Sequence, residues 1–390
     1  MKRVELVPLK LAATGEPPGL QPYNQYALDE KDPLVVDEDE PEEIVKVTRV
    51  PNYFYNRAFF CCRLTKAAFI IYSNIFCCIW HATLAIVSVA AATQNGRGMD
   101  TPRLTLYVTN LTWVPNATNS LVPVNQPVDG LYLSHMTMWF FLLSFLAHLT
   151  IVAGNWSQGL WGGEGKDSPY REITEGWFPT GWYFRWLHEC RQPLRWVEYS
   201  FSASLMAITI SVASGVNHAY MITFIFTLMW CTMVFGYYTE IISRPKMRGV
   251  LKPLRWKISW RRPETLLFPG LAAAIGTDKL ERLAPHFLGY VPYITVWAVL
   301  FHSFFYNVGD AEQGPPDFVY IIVVGQLVVF TGFGFTQLFN QGFNNGPSWY
   351  YWGEWSYLFL SLFSKGLLGL TLVANVFLYD SFDEAVANAD

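Results

Sequence analysis

One lysine stands in the middle of an apolar run near the C-terminus, Tyr357-Leu-Phe-Leu-Ser-Leu-Phe-Ser-Lys-Gly-Leu-Leu368. A helix over this run starts near Trp352 and puts Lys365 roughly 20 Å from that end, too deep for easy snorkelling. Charged groups at such depth are costly and need a reason. Desolvation makes a lysine amine available as a nucleophile, and such amines form Schiff bases with aldehydes. The plainer alternative is a lysine paired with a buried acid. That acid is Glu198, in Arg195-Trp-Val-Glu-Tyr-Ser-Phe-Ser-Ala-Ser-Leu-Met206. A protonated Schiff base in low dielectric needs one counter-charge, and Glu198 supplies it. Ser361 precedes Lys365 by one turn on the same face, within hydrogen-bonding reach. Arg195 precedes Glu198 by three residues, so an intrahelical ion pair competes or coexists. His81 and His148 add polar weight inside apolar runs, as packing residues or as functional ones. His135, His188, His218 and His302 lie near helix ends and read as structural.

These residues need helices to hold them. The chain has 390 residues, 52% hydrophobic and 15% charged, where a soluble domain carries about a quarter charged. The net charge of -4 argues against a basic nucleic-acid binder. Six cysteines, with two adjacent pairs among them, make no disulfide scaffold. Apolar runs of membrane-spanning length, about 20 residues each, recur along the chain. The expected spans are 66–92, 131–153, 190–214, 216–243, 286–308, 317–340 and 352–379. The third is weakest because Arg191, Arg195 and Glu198 sit in its first turns, and six spans is the alternative count.

Lys and Arg set the direction. They crowd between the fourth and fifth spans, from Arg244 to Arg262, and precede the first span as Arg57, Arg63 and Lys66. The loop at 307–316 and the tail after Tyr379 carry acids without Lys or Arg. Seven spans then put the N-terminus in the cytoplasm and the C-terminus outside. The sequons at Asn110 and Asn116 fall outside in this topology, whereas Asn155 falls inside and stays unmodified.

Residues 1–60 read as a disordered acidic cytoplasmic tail, with the run Asp37-Glu-Asp-Glu-Pro-Glu-Glu43. No signal peptide is expected from the polar start. Cys61 and Cys62 are placed for palmitoylation or remain free thiols. The loop 93–130 contains Leu104-Thr-Leu-Tyr-Val-Thr-Asn-Leu-Thr-Trp-Val114, which predicts a short hairpin over the helix mouths. Trp156, Trp161, Trp177, Trp182 and Trp186 read as an interfacial belt. Residues 61–380 form the helical domain, and 381–390 an extracellular tail.

The motifs carry a specific resemblance. Arg195-Trp-Val-Glu-Tyr-Ser-x-Ser-x-Ser-x-Met206 resembles the third-helix signature of the heliorhodopsins. Gly353-Glu-x-x-Tyr-x-x-Leu-Ser-Leu-x-x-Lys365 is similar to their seventh-helix motif. Phe235-Gly236 with Glu240 and Pro245 matches the end of the fourth helix, and the inverted orientation fits as well. The resemblance covers roughly residues 60–380. It implies an all-α, seven-transmembrane-helix rhodopsin-like bundle carrying all-trans retinal on Lys365, with Glu198 as sole carboxylate counterion and Ser361 beside it. It also implies His81, His148 and Ser144 near the Schiff base. Ser202, Met206, Thr232, Tyr293, Phe330 and Phe333 are implied against the polyene. Tyr293 and Thr331 depart from the family, where tryptophan and asparagine occur. A homodimer is implied too.

Three functions compete. A hormone-type receptor is rejected, since the third span ends without Asp-Arg-Tyr and the seventh lacks Asn-Pro-x-x-Tyr. A light-driven or light-gated ion transporter is the second. A pump is disfavoured because Thr209, about three turns beyond Glu198, cannot donate a proton at neutral pH. A sensory photoreceptor with a slow photocycle is preferred, embedded in membrane lipid and not an enzyme, with no metal and no nucleic acid. An unknown cytoplasmic partner would bind the basic loop 244–262 or the acidic tail.

Overall fold

The computed structural model describes residues 66–94, 99, 103–114, 120–160, 182–243, 277–310, 316–343 and 347–378. The expectations for the tails 1–60 and 381–390, for Cys61 and Cys62, for Asn116, Trp161 and Trp177, and for the loop 244–262 lie outside these residues.

Among the described residues, seven helices are long and apolar enough to cross a membrane. They are α1 (Lys66–Thr93), α2 (Leu133–Leu160), α4 (Pro193–Ala213), α5 (Ala219–Ser243), α6 (Thr277–Asp310), α7 (residues 317–343) and α8 (Pro347–Leu372). A short α3 (Trp182–His188) precedes α4. In α7, π turns at Ile321–Gly325 and Phe339–Phe343 flank the central segment Gln326–Leu338, and a third, Val373–Phe377, continues α8. Pro285 and Pro292 lie inside α6, each removing one hydrogen bond from the backbone ladder. Six spans, the alternative count, is set aside.

The third span explains itself by position. Two-thirds of its apolar window (67%) is buried within the bundle, against 22% for α5. Its charges therefore face protein rather than lipid, and low hydropathy is what a central helix can tolerate. Helices in lipid gain little from hydrophobic transfer and are held by close packing and interhelical hydrogen bonds. Gly236 shows the packing: a Cβ there would sit 2.2 Å from the Trp196 ring, so α4 and α5 approach closely only because the residue is glycine. At the turn from α4 to α5, Gly215 has φ 86°, a left-handed conformation that side chains disfavour.

Strands β1 (Arg103–Val114) and β2 (Ser120–Tyr132) form the antiparallel hairpin expected between the first two spans, with a register shift between Thr105 and Tyr107. It docks on the turn after α4. The Tyr107 N–H donates to Asn217 O at 2.9 Å, and the Thr109 N–H donates to His218 Nε2 at 3.2 Å. His218, read as structural, is thus the hairpin's anchor.

The tryptophan belt is corrected in part. Trp182 is only 2% exposed and packs in a second core with Tyr183, Phe184 and Leu187, because α3 folds beneath α1, α2 and α8. Trp156 is exposed, as an interfacial residue would be. Asn155 is fully buried: its amide donates to Ile151 O and accepts from the Tyr183 N–H, so this sequon is closed to modification.

Candidate functional site

The odd-numbered spans begin, and the even-numbered ones end, at the same end of the bundle as α3. The site lies in that half. Lys365 is 3% exposed, and its Nζ lies 3.1 Å from Glu198 Oε1 across the α4–α8 interface. Nζ also donates to Ser361 Oγ at 2.8 Å, the one-turn spacing anticipated from sequence. Ser144 on α2 donates to the same Glu198 oxygen at 2.6 Å and so fixes the carboxylate rotamer. The Tyr199 ring lies 5.0 Å from Nζ and faces the ammonium as a cation–π partner.

Beside this pair the two histidines stack, ring centroids 5.5 Å apart and 12° from parallel. Asn74 donates to Ile70 O, which leaves its side-chain oxygen to accept from His148 Nδ1 at 2.9 Å. His81 is completely buried, and neither of its ring nitrogens has a partner among the described residues.

Arg195 does not pair with Glu198. Its guanidinium turns away to Glu240 at 2.9 Å and to Glu354, and lies 4.0 Å from the centre of the Tyr357 ring. The intrahelical pair is therefore corrected. Two carboxylates from other helices outcompete one at short helical spacing, and Glu198 is left free for Lys365. Tyr183 donates to Glu354 at 3.2 Å. Burial, and the Glu354 carboxylate beside it, push the Tyr183 phenol well above its ordinary range, so it stays a neutral donor.

On its other side Lys365 opens into a slot walled by α4, α5, α6, α7 and α8. Ser202, Met206, Thr232, Tyr293, Phe330 and Phe333 all line it, and so do Ser361 and Lys365. His81, His148, Ser144 and Glu198 do not; they gather behind the amine. A long apolar aldehyde fits this arrangement, with the nucleophile at one end of an aromatic slot and the counter-charge outside it.

Several contributors escape a linear reading. Tyr199 was hidden as one aromatic among many. Gln326 and Ser364 form a double hydrogen bond, both at 2.8 Å, that clamps α7 to α8 beside Lys365. A glutamine inside an apolar run was the available signal. His286 and Gln337 pair at 2.8 Å at the slot's wall. The departure at Tyr293 and Thr331 is self-consistent, since their hydroxyls bond each other at 2.8 Å.

A family profile described as heliorhodopsin matches residues 174–256 and 267–377, about half of the chain, including the segments that hold Glu198 and Lys365. No curated protein matches. Similar solved structures include xanthorhodopsin, described as a light-driven ion pump with dual chromophore. It is 12% identical over 83% of this chain and 94% of that one, with a TM-score of 0.49. A thermophilic rhodopsin is 10% identical over 79% and 92%, with a TM-score of 0.47. The transmembrane domain of the Salpingoeca rosetta rhodopsin phosphodiesterase is 10% identical over 79% and 84%, with a TM-score of 0.45. Seven membrane-length helices and the profile match lead to one assignment: the chain belongs to the heliorhodopsin family and is an integral multi-pass membrane protein of the retinal-binding kind.

Proposed function

We propose that the chain is a light sensor that carries all-trans retinal on Lys365, with Glu198 as counterion and a slow photocycle. When bound, retinal supplies a polyene that isomerises on absorbing light and an aldehyde carbon that condenses with the Lys365 amine, releasing water. The residues of the chain do the rest. Glu198 holds the positive charge at Nζ, Ser144 fixes the carboxylate, and Ser361 gives Nζ a second partner. Met206, Phe330 and Phe333 keep water from the slot.

The observation that carries the sensory reading is one-sidedness. Among the described residues, the buried carboxylates are Glu198, Glu240 and Glu354. All three lie between Lys365 and the end of the bundle where α4 and α8 begin. Thr209, on the far side, bonds back to Leu205 O and offers no acid. A proton displaced from Lys365 has acceptors on one side only and returns the way it came. That gives a long-lived state without net transport. In this reading the starts of α1, α4, α6 and α8 face the cytoplasm, the protein pairs as a homodimer, and a signalling partner binds the cytoplasmic segments. No substrate turnover belongs to it.

Voltage-clamp recording under illumination tests the reading. No steady current is expected; a sustained directional photocurrent would establish light-driven or light-gated proton transport instead. Glu198→Gln should move the visible absorption to longer wavelength or abolish the protonated form. An unchanged spectrum would remove Glu198 from the counterion role.

A further inference from the structure

Among the described residues, the buried Asp, Glu, Lys and Arg side chains are Arg195, Lys365, Glu198, Glu240 and Glu354, with His81, His148 and His286 buried as well. Lys365 and Glu198 neutralise each other. Arg195 is left facing two carboxylates, so with these five ionised and the three histidines neutral the interior carries one uncompensated negative charge. A buried lone charge is strongly disfavoured, and a proton is the cheapest remedy.

The hydrogen bonds say which carboxylate takes it. Glu240 accepts from three donors: Arg195 Nη2 at 2.9 Å, Trp196 Nε1 and Tyr350 Oη. Donors of this number favour the ionised form. Glu354 accepts from Arg195 Nη1 and from Tyr183 Oη at 3.2 Å, and it shares the guanidinium with Glu240. It also faces a small second cavity lined by Gln192, Arg195, Glu198, Glu354, His148 and Tyr357 among others. Gln192 is 1% exposed and faces Glu354, yet neither end of its amide makes a well-formed hydrogen bond. Among the described residues Arg195 Nε has no partner either. Buried polar groups short of partners around a small cavity are what ordered water satisfies. The same cavity touches Glu198, so water there would join the two charged centres.

We propose that the Arg195–Glu240–Glu354 cluster is a second proton-holding site, with the proton on Glu354. Water beside Gln192 lets that proton exchange with the Lys365–Glu198 pair. No bond other than O–H forms or breaks: a proton leaving one carboxyl oxygen is relayed through water to the other. The exchange rests on Lys365 being the light-driven centre, whereas the stored proton does not.

Three measurements separate the parts. Solid-state NMR of retinal-loaded protein in lipid vesicles, kept dark at neutral pH and labelled with ¹³C at the glutamate side-chain carboxyl, should show one carboxylic-acid signal. Glu354→Gln should remove that signal with little loss of thermal stability, because it replaces an acid that is already neutral. Glu240→Gln removes the ionised partner of Arg195 and should cost more. The reverse order of stability would put the proton on Glu240 and overturn the assignment. All glutamates ionised, or an acid signal lost only with Glu198→Gln, would overturn the proposal. Retinal-free protein should keep the signal, so failure of the retinal assignment is read apart from failure of this one. Flash spectroscopy then tests exchange. Glu354→Gln should slow recovery of the dark absorption roughly a hundredfold, the low end of what a positioned proton-transfer group contributes. Glu354→Asp should restore most of the rate. Gln192→Leu, which leaves the carboxylates intact, should slow it in the same direction. Recovery unchanged in both Glu354→Gln and Gln192→Leu would remove the exchange.

Discussion

The bundle divides at Lys365 into two halves built on different principles. Towards the starts of α4 and α8, the interior holds Arg195, Glu198, Glu240, Glu354, Tyr183 and Tyr350, bonded across four helices. Towards the hairpin, the interior is Ile210, Val296, Leu300, Phe304, Ile322, Leu368 and Phe377, and its hydroxyls mostly bond within their own helix. The first half is held by directional contacts that fail if one member is missing. The second is held by shape. In lipid this matters more than in water, because packing there gains little from solvent exclusion and polar groups have no water to fall back on. Chemistry is confined accordingly: among the described residues, the half that holds Glu198, Glu240 and Glu354 is the one that can accept a charge.

The largest effect should come from the residue on the boundary. Lys365→Ala removes the only lysine amine that lines the slot among the described residues. Purified variant mixed with retinal should show no visible band beyond that of free retinal. A coloured Lys365→Ala protein would sink the assignment.

How far these halves could be read in advance differs in the same way. The dry half was legible from hydropathy, since span length and apolar runs depend on local sequence alone; the spans expected at 66–92 and 216–243 are close to α1 and α5. The hairpin followed from β-branched density around Leu104–Val114. In the wet half, Lys365 and Glu198 were visible because each is a charge inside an apolar run. Their junction across α4 and α8 could be argued from parallel helix direction. The intrahelical pair offered as an alternative for Arg195 fails because sequence shows only neighbours at i+3 and i+4, while its partners lie 45 and 159 positions away. Tyr183 and Gln192 belong to a connecting stretch with no periodicity to read. Nearness created by tertiary folding leaves no local trace.

Next in size is the loss of a partner in the wet half. Arg195→Gln keeps some hydrogen-bonding capacity but leaves Glu240 and Glu354 without their cation. Breaking a buried pair by removing one partner costs about 3–5 kcal/mol, and a second proton taken up by the cluster would recover part of that. Thermal unfolding in detergent should therefore show a large drop in midpoint, and the drop should shrink in Arg195→Gln/Glu240→Gln. Equal destabilisation of the single and double variants would mean that Arg195 acts by packing against Tyr357 rather than by charge.

The smallest effect is expected in the dry half, and it is the sharpest check on the division. Thr209 is completely buried at the depth where a proton donor for Lys365 would stand, so a relay through this half would have to use it. Its hydroxyl instead donates to Leu205 O at 2.9 Å, a bond confined to its own helix. Thr209→Val exchanges that hydroxyl for a methyl of similar size and deletes donor and local bond together. Leu205 O keeps its place in the backbone ladder, so no buried group is orphaned. The cost should stay within about 1 kcal/mol, the scale of one net hydrogen bond. The absorption band and the recovery after a flash should both be unchanged. If recovery slows in Thr209→Val while it is untouched in Glu354→Gln, the proton travels through the half that holds no carboxylate. The two halves would then have exchanged roles.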